Sequence, residues 1–139
     1  MRHSRVLIID DSVTIRAMVE ELLARHGNAH TIATASDGDM ARALIREFRP
    51  TVITLDLNMP GIDGLALLDE LRDQPHAPIV VVSSATTDGS AATKEALAHG
   101  ADACFDKSKI VTEASRFIRV LKRASIKKLR LPASSGQRR

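Results

Sequence analysis

Short apolar runs that end in acidic or hydroxyl residues alternate along this chain with stretches whose apolar positions recur every three or four residues. The first run, Arg5-Val6-Leu7-Ile8-Ile9, ends in Asp10-Asp11. After it Ile15, Met18, Val19, Leu22 and Leu23 fall at helical spacing, and Gly27-Asn28 stops the predicted helix. His30-Thr31-Ile32-Ala33-Thr34-Ala35 reads as a second, short strand. Ser36-Asp37-Gly38 then caps a helix with the stripe Met40, Ala41, Leu44, Ile45 and Phe48, ended before Pro50. A third run, Thr51-Val52-Ile53-Thr54-Leu55, meets Asp56 and gives way to Leu57-Asn58-Met59 and a Pro60-Gly61 loop. Leu65, Leu68 and Leu71 mark the next helix. The run Pro78-Ile79-Val80-Val81-Val82 ends in Ser83-Ser84 and leads to an Ala-rich helix over 90–99, closed by Gly100. Last, Ala103-Cys104-Phe105 runs through Asp106 to Lys107, and a helix over about 111–124 carries Ala114, Phe117, Ile118 and Leu121.

Strands and helices in strict alternation predict an α/β fold: a doubly wound, five-stranded parallel sheet flanked by five helices in one domain. In such sheets ligands bind at the carboxyl ends of the strands. Asp10, Asp11, Asp56, Ser83 and Lys107 all fall at those ends. Three carboxylates close together repel and raise one another's pKa unless a cation joins them. Hard oxygen donors with room for water and phosphate oxygens suit Mg²⁺. Each residue also has a plainer reading. Asp10 or Asp11 would cap the first helix, Ser83 would be a turn residue, and Lys107 a solvated lysine. Caps and turns do not explain why all of them gather at one sheet edge with a spare cation.

Charge changes the picture at one end only. Residues 1–106 carry 9 Lys/Arg against 16 Asp/Glu, whereas residues 107–139 carry 11 basic residues against Glu113 alone. The pI of 9.4 therefore belongs to the C-terminal end. Residues 1–124 are expected to form the folded domain, and 125–139 a basic, partly disordered extension without apolar periodicity. Lys122, Arg123, Lys127, Lys128 and Arg130 cluster there, but no aromatic residue accompanies them to stack on bases. A solvated helix end and tail is the expectation; binding of nucleic acid or an anionic membrane is the alternative. No apolar run has the length of a membrane span, and no signal-peptide core follows Met1. With Cys104 as the one cysteine, the composition points to a reducing cytoplasm. His3, His26, His30, His76 and His99 lack metal-ligand spacing and read as surface or helix-end residues.

Asp10-Asp11, the segment Asp56-Leu57-Asn58-Met59-Pro60 with Asp63-Gly64, Ser83 after an apolar strand and Lys107 after the last strand together resemble a bacterial two-component receiver domain over roughly residues 5–123. The single-domain chemotaxis regulators and the receiver of the chemotaxis methylesterase are the most similar branches. Asp10-Asp11-Ser12, Thr54-Leu55-Asp56 and Val82-Ser83-Ser84 are similar to the latter. The resemblance implies that Asp56 accepts a phosphoryl group from a histidine kinase. It implies Mg²⁺ held by Asp11, Asp56 and the Asn58 backbone carbonyl, with Asp10 acting through metal-bound water. Lys107 and Ser83 would stabilise the transferred group. Phosphorylation would switch a surface made by the fourth helix, fifth strand and fifth helix toward a downstream protein, in two-component signalling such as chemotaxis.

The expectation is thus a stand-alone, phosphorylation-dependent binding module that turns over no external substrate. The methylesterase needs a Gly-x-Ser-x-Gly nucleophile turn, which this chain lacks; a receiver fragment of such a regulator is the alternative. Haloacid-dehalogenase phosphatases need Asp-x-Asp after the first strand, whereas here Asp10 and Asp11 are adjacent and Asp56 is on the third strand. Two positions depart from the receiver pattern. Ser108 replaces the proline that usually follows the lysine in a cis peptide, so a trans bond is expected. Cys104 stands where the switch aromatic usually sits, with Phe105 on the opposite strand face.

Overall fold

Val52–Asp56 and Ile79–Ser83 are buried along their whole length, which an inner strand of a parallel sheet requires because helices cover both faces. The computed structural model describes residues 4–26, 30–59, 63–73, 76–84 and 91–126. In chain order these form β1 (Ser4–Ile9), α1 (Val13–Arg25), β2 (His30–Ala35), α2 (Gly38–Phe48), β3 (Val52–Asp56) and α3 (Gly64–Arg72). Then come β4 (Ile79–Ser83), α4 (Ala91–Ala98), β5 (Ala103–Asp106), a single 3₁₀ turn at Lys107–Lys109 and α5 (Ala114–Ser125). All strand pairs are parallel, in the order β2-β1-β3-β4-β5.

Alternation along the strands divides the core in two. Leu7, Ile9, Ile53, Leu55, Ile79 and Val81 pack with residues of α2, α3 and α4. Val6, Ile8, Val52, Val80 and Val82 face α1 and α5. Cys104 joins the first layer and Phe105 the second, as the strand period demands. Phe105 meets Phe117 of α5 with ring centroids 5.0 Å apart in a tilted pair, a geometry worth about 0.5–1.5 kcal/mol beyond burial.

Local chemistry fixes several helix ends. Asp37 caps α2 by accepting the Met40 N–H, and Asp63 caps α3 by accepting those of Leu65 and Ala66. Gly100 takes φ 107° after α4, the left-handed geometry a glycine admits without strain. Arg49 takes φ 54° after α2 without being glycine. Arg5 steadies this end: its Nε donates to Phe48 O at 2.8 Å and its guanidinium lies over the Phe48 ring.

Several expectations need correction. Met40 belongs to the solvent side of α2, and Leu67, absent from the expected stripe, is buried on α3. Residues 111–113 are turn rather than helix, and Val111 is exposed, because the 3₁₀ turn after β5 delays α5 to Ala114. His76 is buried, not superficial; its Nδ1 lies 2.7 Å from Ala77 O. His30 is half-buried within β2. His3, Gly27-Asn28, Pro60-Gly61 and all of 125–139 except Ser125 and Ile126 lie outside the described residues.

Candidate metal centre

β1 and β3 are sheet neighbours although β2 comes between them in the chain, so the winding reverses at this pair. The crevice at such a reversal is where an open sheet binds ligands. Ile9 is level with Leu55, which sets Asp10, directly after β1, beside Asp56, the last residue of β3. Asp11 follows at the start of the β1–α1 turn. One carboxylate oxygen from each of Asp10, Asp11 and Asp56 falls within 4.8 Å of the others.

Two tight turns orient the buried pair. Asp10 Oδ1 accepts the Ser12 N–H at 2.9 Å, and Asp56 Oδ1 accepts the Asn58 N–H at 2.9 Å. Each aspartate thus spends one oxygen on the backbone two residues onward, an Asx turn, and keeps the other for the crevice. Neither caps α1. Ser12 does so, its Oγ accepting the Ile15 N–H, so the plain cap reading fails for Asp10 and Asp11. Asp11 is exposed, and among the described residues nothing binds its carboxylate.

Lys107 enters from β5. Its Nζ lies 3.1 Å from Asp56 Oδ2 and 3.4 Å from Asp10 Oδ2, and its side chain is only 21% exposed. The solvated-lysine reading therefore fails too. Burial pushes the Asp10 carboxyl above its ordinary value; the Ser12 amide opposes this and the Asp56 charge adds to it. Burial also works against the Lys107 ammonium, but the nearby Asp56 and Asp10 carboxylates outweigh it and its pKa is raised.

The peptide at Lys107–Ser108 is trans, since the described residues contain no cis bond. The loop nevertheless has its own anchor. Asp106 Oδ1 accepts the Ser108 N–H at 3.0 Å and the Ser108 hydroxyl at 2.8 Å, and both lower the Asp106 pKa. A third strand-end Asx turn thus stands where the receiver pattern has proline. The fully buried Ile110 pins the turn from below.

Ser83 is buried at the end of β4 and donates its hydroxyl to Asn58 Oδ1 at 2.7 Å. Asn58 thereby joins two strand ends: its N–H holds Asp56 and its side chain holds Ser83. Sequence reasoning missed Arg16, whose Nη1 donates to the Asp10 backbone carbonyl at 2.7 Å. An arginine one turn into an amphipathic helix carries no sequence signal for that role.

The donor set suits a hard divalent cation. All three candidate ligands are carboxylates, and Asp56 Oδ2 is buried without a hydrogen-bond partner, since Lys107 approaches as a charge and not along a hydrogen-bond direction. A cation there would satisfy that oxygen.

Known proteins share this sequence pattern and this fold. The response regulator receiver domain family matches residues 6–115. A protein-glutamate methylesterase/protein-glutamine glutaminase of Xanthomonas oryzae pv. oryzae is 42% identical over 76% of this chain and 30% of its own length. One from Bordetella parapertussis is 37% identical over 98% of this chain and 41% of its own. This chain therefore spans well under half the length of these curated relatives. Among solved structures, the response regulator domain of Thermotoga maritima CheB superposes with a TM-score of 0.83 at 28% identity, covering 91% of this chain and 99% of that one. The Vibrio cholerae chemotaxis protein CheY4 gives 0.73 at 28% identity, over 88% and 99%.

Proposed function

Because the chain belongs to the response regulator receiver domain family, we propose that it takes a phosphoryl group from a histidine kinase onto Asp56 and uses it to switch a partner-binding surface. The observation that carries this is the buried, unbonded Asp56 Oδ2 facing Lys107 at the sheet's reversal point.

Asp11 and Asp56 would hold Mg²⁺ directly, the Asn58 backbone carbonyl would add a neutral oxygen, and Asp10 would act through metal-bound water. When bound, Mg²⁺ neutralises the carboxylates and offsets charge on the phosphoryl oxygens. Asp56 supplies the nucleophile: its carboxylate forms the new O–P bond as the N–P bond to phosphohistidine breaks, with the electron pair leaving on imidazole. The Asn58 amide keeps one oxygen of Asp56 fixed, so the other is presented. Lys107, within ion-pair reach of that oxygen, pairs with the arriving dianion. The Ser83 hydroxyl exchanges Asn58 Oδ1 for a phosphoryl oxygen, which pulls the end of β4 toward the site.

That pull has a route outward. β4 leads to α4, and Cys104 of β5 packs under α4, its Sγ 3.9 Å from Thr93 O. With no aromatic ring at 104, the switch moves backbone, not a ring rotamer. The readout is the α4–β5–α5 surface, acting on a downstream protein in two-component signalling in the cytoplasm. The fold carries the receiver chemistry and turns over no external substrate. No nucleic-acid or membrane binding is proposed for the basic extension 125–139.

The methylesterase relatives favour a second reading of the output, in which the same surface acts on an esterase domain and not on a separate protein. The intact mass of the protein isolated from its native cells separates the two. The switch itself is tested by amide NMR on adding Mg²⁺ and beryllofluoride, a phosphoryl mimic. Shifts should spread from Ser83 and Ser84 into α4, β5 and α5; shifts confined to the strand ends would contradict it.

A further inference from the structure

Lys107 reaches Asp56 across an intervening strand. In the order β3-β4-β5, the strand that delivers Lys107 is two places from the one that ends in Asp56. Neighbouring strands lie about 4.8 Å apart, so the gap to be bridged is about 10 Å. The length of the lysine side chain is spent on that gap, and its Nζ arrives 3.1 Å from Asp56 Oδ2. A backbone leaving β5 in another direction would carry the ammonium out of ion-pair reach. The direction of that departure decides whether the cation is in the site.

The two ends of the turn are held differently. At the far end Ile110 is fully buried, and the Glu113 N–H donates to Lys109 O at 2.8 Å. The 3₁₀ turn itself closes on a long bond, Ile110 N–H to Lys107 O at 3.3 Å, and hydrogen-bond geometry in such turns is poor. The near end, where Lys107 sits, depends on Asp106. Its Oδ1 accepts both the Ser108 N–H at 3.0 Å and the Ser108 hydroxyl at 2.8 Å, so one carboxylate oxygen clamps the residues on either side of Lys107. Asp106 is level with Ser83 across the β4–β5 pair, which puts this brace at the same sheet edge as the site. A proline at 108 has neither an N–H nor a hydroxyl to give, so the brace needs both residues of this chain. Among the described residues neither side chain bonds to Asp10, Asp11 or Asp56.

We infer that Asp106 and Ser108 are positioning residues for phosphoryl transfer to Asp56: the Asp106 carboxylate, as a hydrogen-bond acceptor, fixes the turn from which Lys107 enters the site. The inference rests on the reading of Asp56 as the phosphoacceptor, and it adds two residues that serve the reaction without touching the phosphoryl group. Bonds to a carboxylate are roughly twice as strong as neutral ones. Without them the turn samples directions that leave Lys107 in solvent, and only the fraction with Nζ at Asp56 is competent.

Two readouts on the full chain test this. The first is acylation of Lys107 by acetic anhydride, read by peptide mass spectrometry against the exposed Lys109 as internal reference. The second is the rate of Asp56 labelling by acetyl phosphate and Mg²⁺. Asp106→Ala should raise Lys107 acylation toward that of Lys109 and slow labelling about tenfold. Ser108→Ala, which keeps the N–H and loses the hydroxyl, should fall between. Asp106→Asn keeps the acceptor oxygen and should restore most of both properties. In a Lys107→Ala background, Asp106→Ala should slow labelling no further. Far-UV circular dichroism checks that each variant keeps its fold. Unchanged Lys107 acylation in Asp106→Ala, no recovery in Asp106→Asn, or the same slowing with and without Lys107 would each overturn the inference. A wild type that acetyl phosphate does not label, with Lys107 still uncovered by Asp106→Ala, would instead overturn the phosphoacceptor reading and leave the assignment of the brace standing.

Discussion

Lys107 Nζ sits 3.1 Å from Asp56 Oδ2, and that oxygen has no hydrogen-bond partner. One ammonium, shared with Asp10 at 3.4 Å, offsets two buried carboxylates. Removing it by Lys107→Ala leaves the pair uncompensated. In Mg²⁺-free buffer the variant should lose about 1–3 kcal/mol, less than the ~3–5 kcal/mol for a fully buried pair because Lys107 is partly solvated and Asp10 can take up a proton. Saturating Mg²⁺ should recover most of the loss, since the cation replaces the missing charge. Urea unfolding followed by far-UV circular dichroism measures both; an equal deficit in the two buffers would contradict a shared cation site.

Asp11→Ala should leave stability nearly unchanged in the absence of metal, since nothing among the described residues binds that exposed carboxylate. Mg²⁺ affinity should fall roughly tenfold or more. The chain has no Trp or Tyr, so calorimetry is the readout. Wild-type affinity in the variant would place the metal elsewhere.

Gly64 opens α3 directly against the loop that follows Asp56. A Cβ there would lie 2.6 Å from Leu57 Cα, a backbone atom that cannot step aside. Gly64→Ala should therefore cost about 1–3 kcal/mol by overpacking and weaken Mg²⁺ binding as the Asp56 turn shifts. Full stability in the variant would show that the α3 start gives way freely.

Much of this was legible in the sequence because two simple periods carry it. The alternating apolar runs and helical stripes gave five strands and five helices in the right order, and the strand-end residues Asp10, Asp56, Ser83 and Lys107 do converge. What escaped depends on contacts between distant segments. Arg5 closing the end of α2 joins residues more than forty apart in sequence, and the Arg16 bond to the Asp10 carbonyl depends on how α1 leaves β1. His76 is buried by packing that its polar ring conceals. The Lys107 loop was partly legible: a trans peptide was expected at Ser108, but not the bonds from Asp106 that hold it.

Cys104 is half-buried beneath α4, and burial raises its thiol from the ordinary 9.0 to about 11. A raised acid pKa favours the folded state while the group stays neutral. The contribution is complete below pH 9.0 and disappears as pH rises through about 11. At pH 8 the folded chain should react with iodoacetamide about a hundredfold more slowly than the chain unfolded in guanidinium, following its thiolate fraction. Equal rates would mean the thiol is open to solvent.

The central claim is that Asp56 alone receives the phosphoryl group. Incubation with acetyl phosphate and Mg²⁺, read by intact-mass spectrometry, tests it most directly. Wild type should gain one phosphoryl group, hydrolysable at alkaline pH as an acyl phosphate, and Asp56→Asn should gain none. Full labelling of Asp56→Asn, or no labelling of the wild type under conditions that load other receivers, would contradict the assignment.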